Sequence, residues 1–270
     1  MRLLLIGASS FIGAHLVQAA TAHRHEVIAL SRSGRQSQGV AKSFRWSFGE
    51  PLPAKDIKDV GCAVHLAHDF DGEDGARRTI ESTLTVVTQL RLCGVHRQLF
   101  FSSYSAGEHS LYGKTKLAIE SAFKGHEDIV IVRPGLVLGP GGVYGRIGKW
   151  AQRLPVIPLP DGGQSKIPVI RIHDLCEQTL QLAKMTAPPR EANLFEPDLK
   201  SLRELVQKAA EETGRHPRIL PVPSGLLLYL LTVAGHLGIP LPVNADNLLG
   251  FLGNQEAQHK PMRTQTTWVS

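Results

Sequence analysis

Cysteine is scarce in this chain of 270 residues, with only Cys62, Cys93 and Cys176. An odd number without metal-like spacing argues against a disulfide framework or a zinc module, and reads as reduced, mostly buried thiols. Long apolar runs are missing as well. The longest, GLLLYLLTVAGHLGI at 225–239, has fifteen residues and carries His236. That is short of the roughly 18–20 residues that span a bilayer, so it predicts a packed helix. There is no run of Lys or Arg and no basic stretch interleaved with aromatics. The net charge of +6 therefore describes a solvated basic surface, compatible with a phosphorylated ligand, rather than a nucleic-acid groove. Among the twelve histidines no pair sits at ligand spacing with a carboxylate, and His65 in AVHLAH reads as a packed strand residue. The opening MRLLLIGASSFIGAHLVQAATA has the outline of a secretory signal, but Gly7, Ser9, Ser10 and Gly13 interrupt its apolar core. The expectation is a cytoplasmic protein.

What the chain does have is alternation. RLLLIG (2–7), EVIALSR (26–32), SFRWSF (43–48), CAVHLAH (62–68), QLFFSS (98–103) and DIVIVRPG (128–135) are short apolar strands. Helical patterns separate most of them: residues 12–23 with an apolar face at Ile12, Leu16, Val17 and Ala20, a long pattern around 76–93, and a helix opening near Tyr112. Strand and helix in succession predict an α/β protein with a doubly wound parallel sheet. After Gly135 the texture changes. GLVLGPGGVYG and LPVIPLPDGG are rich in Gly and Pro and read as loops around a short helix near 145–153. A strand running into a helix at KIPVIRIHDLCEQTLQLAK follows, with Asp174 near the helix start, then helices near 200–213 and 224–237 and a polar tail from about 254. The expected division is a dinucleotide-binding domain over 1–175, with substrate-side insertions from about 136–165, and a smaller mixed C-terminal lobe over 176–270.

The first strand leads through GASSFIG into a helix. Gly7 allows a tight turn, Gly13 allows the helix to approach the sheet, and the amides of Ser9, Ser10, Phe11 and Ile12 sit where a pyrophosphate would meet the helix start. The middle position of such loops, usually glycine, is Ser10. Beyond Glu26 the second strand ends in LSRSGR, with Ser31, Arg32 and Arg35 and no acid. A carboxylate there would hold the ribose hydroxyls of NAD, whereas positive charge suits the 2′-phosphate of NADP. NADP is the expected cofactor and NAD the alternative.

Tyr112 precedes Lys116 by four residues at the start of a helix, and Ser103 lies upstream in LFFSSYSAG. Taken with LLLIGASSFIGAHLV, CAVHLAH, VIVRPGLVLGPGG and IRIHDL, all in order over residues 1 to about 175, these motifs resemble the extended short-chain dehydrogenase/reductase family. The likeness is to its NAD(P)-dependent epimerase/dehydratase branch of nucleotide-sugar enzymes. The resemblance implies a Rossmann-type fold. It implies a catalytic trio in which Tyr112 exchanges a proton with the substrate, Lys116 favours the phenolate and Ser103 positions the reacting oxygen. Ser102 and Ser105 are the alternative donors, and Leu66 and Ala67 join the cofactor contacts. It also suggests Ser105, Arg133, Lys166 and Arg171 as substrate contacts, with an ion pair as the alternative role for Arg133 and a solvated surface lysine as that for Lys166. Three positions depart from the family pattern: Ser10, Thr79 in place of an asparagine, and the nine-residue separation of Ser103 and Tyr112, which is short for extended members.

The implied activity is hydride transfer at a secondary alcohol or ketone, on a nucleotide-diphosphate sugar, by a 4-epimerase or a 4-keto reductase. No metal, nucleic acid or transmembrane segment is expected, and a homodimer is compatible. The rival readings are a non-catalytic dinucleotide-binding redox sensor or assembly protein of the same fold, and a small-ketone reductase.

Overall fold

The computed structural model describes residues 1–211, 214–239, 241 and 243–253. The sheet domain opens with β1 (Arg2–Ile6), α1 (Phe11–Ala22), β2 (Glu26–Ser31), β3 (Lys42–Arg45), β4 (Cys62–His65), α2 (Gly72–Leu92), β5 (Gln98–Phe101), α3 (Leu111–Ala122) and β6 (Ile129–Pro134). The chain continues through β7 (Leu136–Leu138), α4 (Gly142–Ala151), β8 (Val156–Pro160), β9 (Lys166–Ile167), β10 (Val169–Arg171), α5 (Ile172–Lys184) and β11 (Glu191–Leu194). It ends with β12 (Lys200–Ser201), α6 (Leu202–Glu211), β13 (Arg218–Val222), α7 (Ser224–His236) and α8 (Ala245–Gly253). The polar tail expected from about 254 lies outside the described residues.

Seven parallel strands form one sheet in the order β11-β6-β5-β4-β1-β2-β3. The order reverses between β1 and β4, which opens a crevice at their carboxyl ends. Near-continuous apolar strands suit this place because both faces are covered. Leu3, Leu5, Val27 and Val64 pack with Leu16 and Val17 of α1 and with Leu180 of α5. Leu4, Ile6, Ile28 and Leu30 face Val86 and Leu90 of α2. Each fully buried side chain of this size contributes roughly 1.5–3 kcal/mol.

Two expectations change. The boundary at 175 falls inside α5, whose buried Leu175, Cys176, Leu180 and Leu182 belong to the sheet's core, and β11 extends the sheet to Leu194. The stretch LPVIPLPDGG is also not all loop. Prolines at alternate positions leave β8 able to pair in parallel with β13, and Ile157 and Leu159 point into a small core with Ile147, Ala151, Val206 and Ala210. The second lobe is thus built from α4, α6, α7, α8 and the short strand pairs β8–β13 and β9–β12.

Candidate active site

The turn after β1 is shaped by close approach. Gly7 has φ of +93°, and a Cβ there would lie 2.7 Å from the Ala67 amide nitrogen. The segment Leu66–Ala67 therefore crosses directly over the turn. A Cβ on Gly13 would lie 2.5 Å from the Gly7 carbonyl oxygen, so α1 starts against the turn's backbone. Ser10 caps α1, its hydroxyl accepting the Gly13 N–H at 3.0 Å. That gives the serine at the middle glycine position a role of its own. The amides of Ser9, Phe11 and Ile12 have no protein partner among the described residues. The Phe11 ring packs on the loop after β7, where a Cβ on Gly139 would lie 2.8 Å from it. A glycine cradle with free N–H groups at a helix start fits the pyrophosphate of a dinucleotide.

At the end of β2, Ser31 is buried, and its hydroxyl accepts the Gly34 N–H at 3.1 Å. Arg32 and Arg35 are exposed beyond it. Arg45 stands opposite Ser31 in the β2–β3 register, so a third guanidinium joins the corner. Sequence reasoning placed Arg45 in a strand without linking it to the cofactor, because only the register brings it there.

Ser103, Tyr112 and Lys116 come together. Ser103 lies close enough to Tyr112 to pull its phenol down, and the Ser103 hydroxyl lies 2.8 Å from that of Ser105. Lys116 is 3% exposed, donates to the Phe101 carbonyl at 2.8 Å, and sits 5.5 Å from the centre of the Tyr112 ring. Ser102, by contrast, donates to the Glu120 carboxylate from a buried position. Successive residues leaving β5 point to opposite sides, which makes Ser103 the serine at the tyrosine. Burial pushes the Tyr112 phenol up to about 12, against the pull of Ser103, and a nearby Asp246 carboxylate raises it further. Burial brings Lys116 down to about 8, against the attraction of Glu120.

His68 and Phe70 also meet the tyrosine, although the sequence did not single them out. The His68 ring is edge-on to Tyr112 at 4.8 Å, and Phe70 stacks on it at 6.1 Å and 11°. Burial, and then the charge of Lys116, holds His68 down at about 3, so its imidazole is neutral. Its buried Nδ1 has no partner among the described residues, which leaves a polar atom at the tyrosine for a ligand. The visible signal was a histidine following HLA, inside a motif already noted.

The other candidates separate. Arg133 is the ion pair: its guanidinium binds the buried Glu120 at 2.6 and 2.9 Å and Glu191 at 2.7 Å, which removes it from the substrate candidates. Arg171 is exposed and lies 3.3 Å from Asp174 and 3.4 Å from Glu196. Lys166 is exposed on β9. Among the described residues no bond links either to the Ser103–Tyr112–Lys116 group. Thr79 is a structural clip, donating to the Gly75 carbonyl at 2.8 Å and accepting the Asp69 N–H at 3.0 Å. His65 is buried and paired with Gln98 at 2.8 Å, and no metal-binding cluster exists among the described residues. No helix among them is long and apolar enough to cross a membrane.

Known proteins share this architecture. MoeE5, solved in complex with UDP-glucuronic acid and NAD, superposes with a TM-score of 0.70 at 22% identity, covering 83% of this chain and 86% of its own. UDP-glucose 4-epimerase of Thermus thermophilus, a complex with NAD, gives 0.69 at 19% identity over 96% of this chain and 100% of its own. UDP-glucuronic acid 4-epimerase of Bacillus cereus, in complex with UDP-glucuronic acid and NAD, gives 0.69 at 18% identity over 95% and 98%. No curated protein matches the chain by sequence. The sequence model of the family described as NAD dependent epimerase/dehydratase matches residues 3–194, from the first strand to the last strand of the sheet. With the cofactor cradle and the Ser103–Tyr112–Lys116 group assembled within that span, the chain belongs to the NAD dependent epimerase/dehydratase family and is a nicotinamide-dependent enzyme of the short-chain dehydrogenase type.

Proposed function

We propose that the protein transfers hydride at a secondary alcohol or ketone of a nucleotide-diphosphate sugar, as a 4-epimerase or a 4-keto reductase, with a nicotinamide dinucleotide. The observation that carries the reading is the buried Lys116, 5.5 Å from the centre of the Tyr112 ring, with Ser103 beside the phenol. When bound, the nicotinamide supplies the hydride acceptor or donor. Tyr112 takes or gives the proton at the substrate oxygen, and Ser103 holds that oxygen within reach. A phenol held near 12 is a poor base at neutral pH. Positive charge is what lowers it, and Lys116 supplies part of that charge from the same helix face. The nucleotide-sugar half of the reading is supported by the ligands named for the structural neighbours.

Arg32, Arg35 and Arg45 at the ends of β2 and β3 would suit NADP, but Asp69 lies close enough to feel the charge of Arg32, and the structural neighbours, complexes with NAD, favour NAD. Arg32→Glu is expected to weaken NADPH at least tenfold while leaving NADH little changed, because a charge-assisted hydrogen bond is worth about 1.5–3 kcal/mol. Thermal shift with NADPH, NADH, UDP and dTDP, singly and in pairs, tests both halves. A ligand at a hundred times its Kd adds about 2.7 kcal/mol of stability. Stabilisation by a nicotinamide dinucleotide and further by a nucleoside diphosphate supports the reading. Stabilisation by the dinucleotide alone discards the nucleotide sugar in favour of a small ketone, and NADH outperforming NADPH decides for NAD.

A further inference from the structure

We propose that Asp246 is a positioning residue for Tyr112, and that α8 does for the short Ser103–Tyr112 connection what a longer loop would do in its place. The inference rests on the reading of Ser103, Tyr112 and Lys116 as the reacting group.

The argument begins with backbone accounting. The first amides of α3 have no partner within the helix. Ser110 takes the Gly113 N–H at 2.9 Å. The next two donors, at Leu111 and Tyr112, go to the carboxylate of Asp246, at 2.6 and 3.3 Å. One side chain, more than 130 positions further along the chain, therefore holds the tyrosine's own amide and that of its neighbour. A carboxylate at this end of a helix is also favoured by the helix dipole.

The rest of α8 fixes Asp246 in place. A reciprocal pair of bonds between Asn244 and Asn247 starts the helix. Leu248 is buried against Leu227 and Leu231 of α7, and Phe251 packs against the cluster of Tyr144, Ile167, Val169, Leu205 and Ala209. On its remaining side α8 lies on the connection itself. A Cβ on Gly250 would be 3.7 Å from Ser105 and from the Ser110 hydroxyl, and one on Gly253 would strike the His109 ring at 2.5 Å. The helix thus roofs residues 105–110 and ties the catalytic helix to the second lobe.

Position and charge act together at this point. The groups facing Tyr112 are Lys116 on its own helix, Ser103 on the connection after β5, neutral His68 on the loop after β4, and Asp246 on α8. Among the described residues Asp246 is the only acid of this group, and its charge favours the protonated phenol. Its removal should lower the phenol's titration point while loosening the start of α3.

The test is a pH titration of protein labelled with 13C at the tyrosine ring carbon that bears the hydroxyl, with NAD+ present. The Tyr112 signal is identified by its absence in Tyr112→Phe. Asp246→Asn keeps one acceptor oxygen and removes the charge. Tyr112 should then titrate lower by about one pH unit, a tenfold larger phenolate fraction at a given pH, with the other tyrosines unmoved. Hydrogen exchange of the Leu111 and Tyr112 amides should quicken in Asp246→Asn and further in Asp246→Ala, while β1 and α1 keep their protection. In turnover, the acidic limb of kcat should move down by the same amount with KM little changed. A purely structural role would lower kcat equally at all pH values. An unmoved Tyr112 titration in a folded Asp246→Asn protein overturns the proposal, whatever the turnover. Wild-type turnover by Tyr112→Phe overturns the reading of the site instead, so the two failures are distinct.

Discussion

Tyr112 and Lys116 are each displaced by burial in the direction that opposes the role proposed for them, the phenol towards neutral and the ammonium towards neutral. For lysine the consequence for stability can be signed. The unfolded chain holds the Lys116 proton up to its ordinary pKa, whereas the folded protein releases it near 8. Between those values the unfolded state binds more protons, so the Lys116 contribution to stability rises with pH. Urea denaturation between pH 7.5 and 10 should show that rise in the wild type and a flatter profile in Lys116→Met, the full difference being roughly 3 kcal/mol. Arg133 makes the opposite case, a charge whose burial is matched. Removing one partner of such a pair costs about 3–5 kcal/mol, so Glu120→Ala should lower the melting temperature sharply. Arg133→Met should do likewise while leaving KM for substrate intact, and a raised KM in a folded Arg133→Met protein would return Arg133 to the substrate surface. Both Arg133 roles were legible in the sequence. Which of them holds depended on Glu120, whose position one turn beyond Lys116 gave no sign that it faced β6.

At the scale of elements, the sheet was readable because buried parallel strands are apolar runs and helices announce themselves by period. The second lobe was harder. β8 alternates with prolines and looks like a loop until β13 lies beside it, and β11, EANL, has neither β-branched nor aromatic residues. α8 was not among the helices expected from the sequence, since ADNLLGFLG carries two glycines, an Asn and an Asp, and nothing local in it pointed to a tyrosine so far upstream. The Ser103–Tyr112–Lys116 group was legible through its resemblance to the family's motifs, and only nine residues separate the serine from the tyrosine. The turn after β1 invites a direct test at this scale. Gly7→Ala would place a side chain on a left-handed residue and against Ala67, at a cost of about 1–3 kcal/mol in backbone strain alone. Its melting temperature should fall, and the stabilisation by a nicotinamide dinucleotide should vanish, since the same displacement opens the cradle.

The whole molecule keeps its thiols out of reach. Cys62 and Cys176 are buried, and desolvation raises both to about 12, leaving half-buried Cys93 as the accessible one. A thiol-reactive dye should modify at most one cysteine in the native protein and three after denaturation; rapid labelling of three in the native state would contradict the described core. The two lobes differ in surface as well. The sheet domain exposes apolar residues singly, as at Phe70 and Leu92, whereas α7 leaves Leu226, Tyr229, Leu230 and Val233 exposed, with Leu237 just past its end, so an apolar face lies on the lobe that supplies α8. That division also orders events during synthesis. A ribosome that has released Leu194 has delivered all seven strands and the turn after β1, yet the amides of Leu111 and Tyr112 still await residue 246. The whole sheet is thus synthesised before the carboxylate that will hold the start of α3 exists.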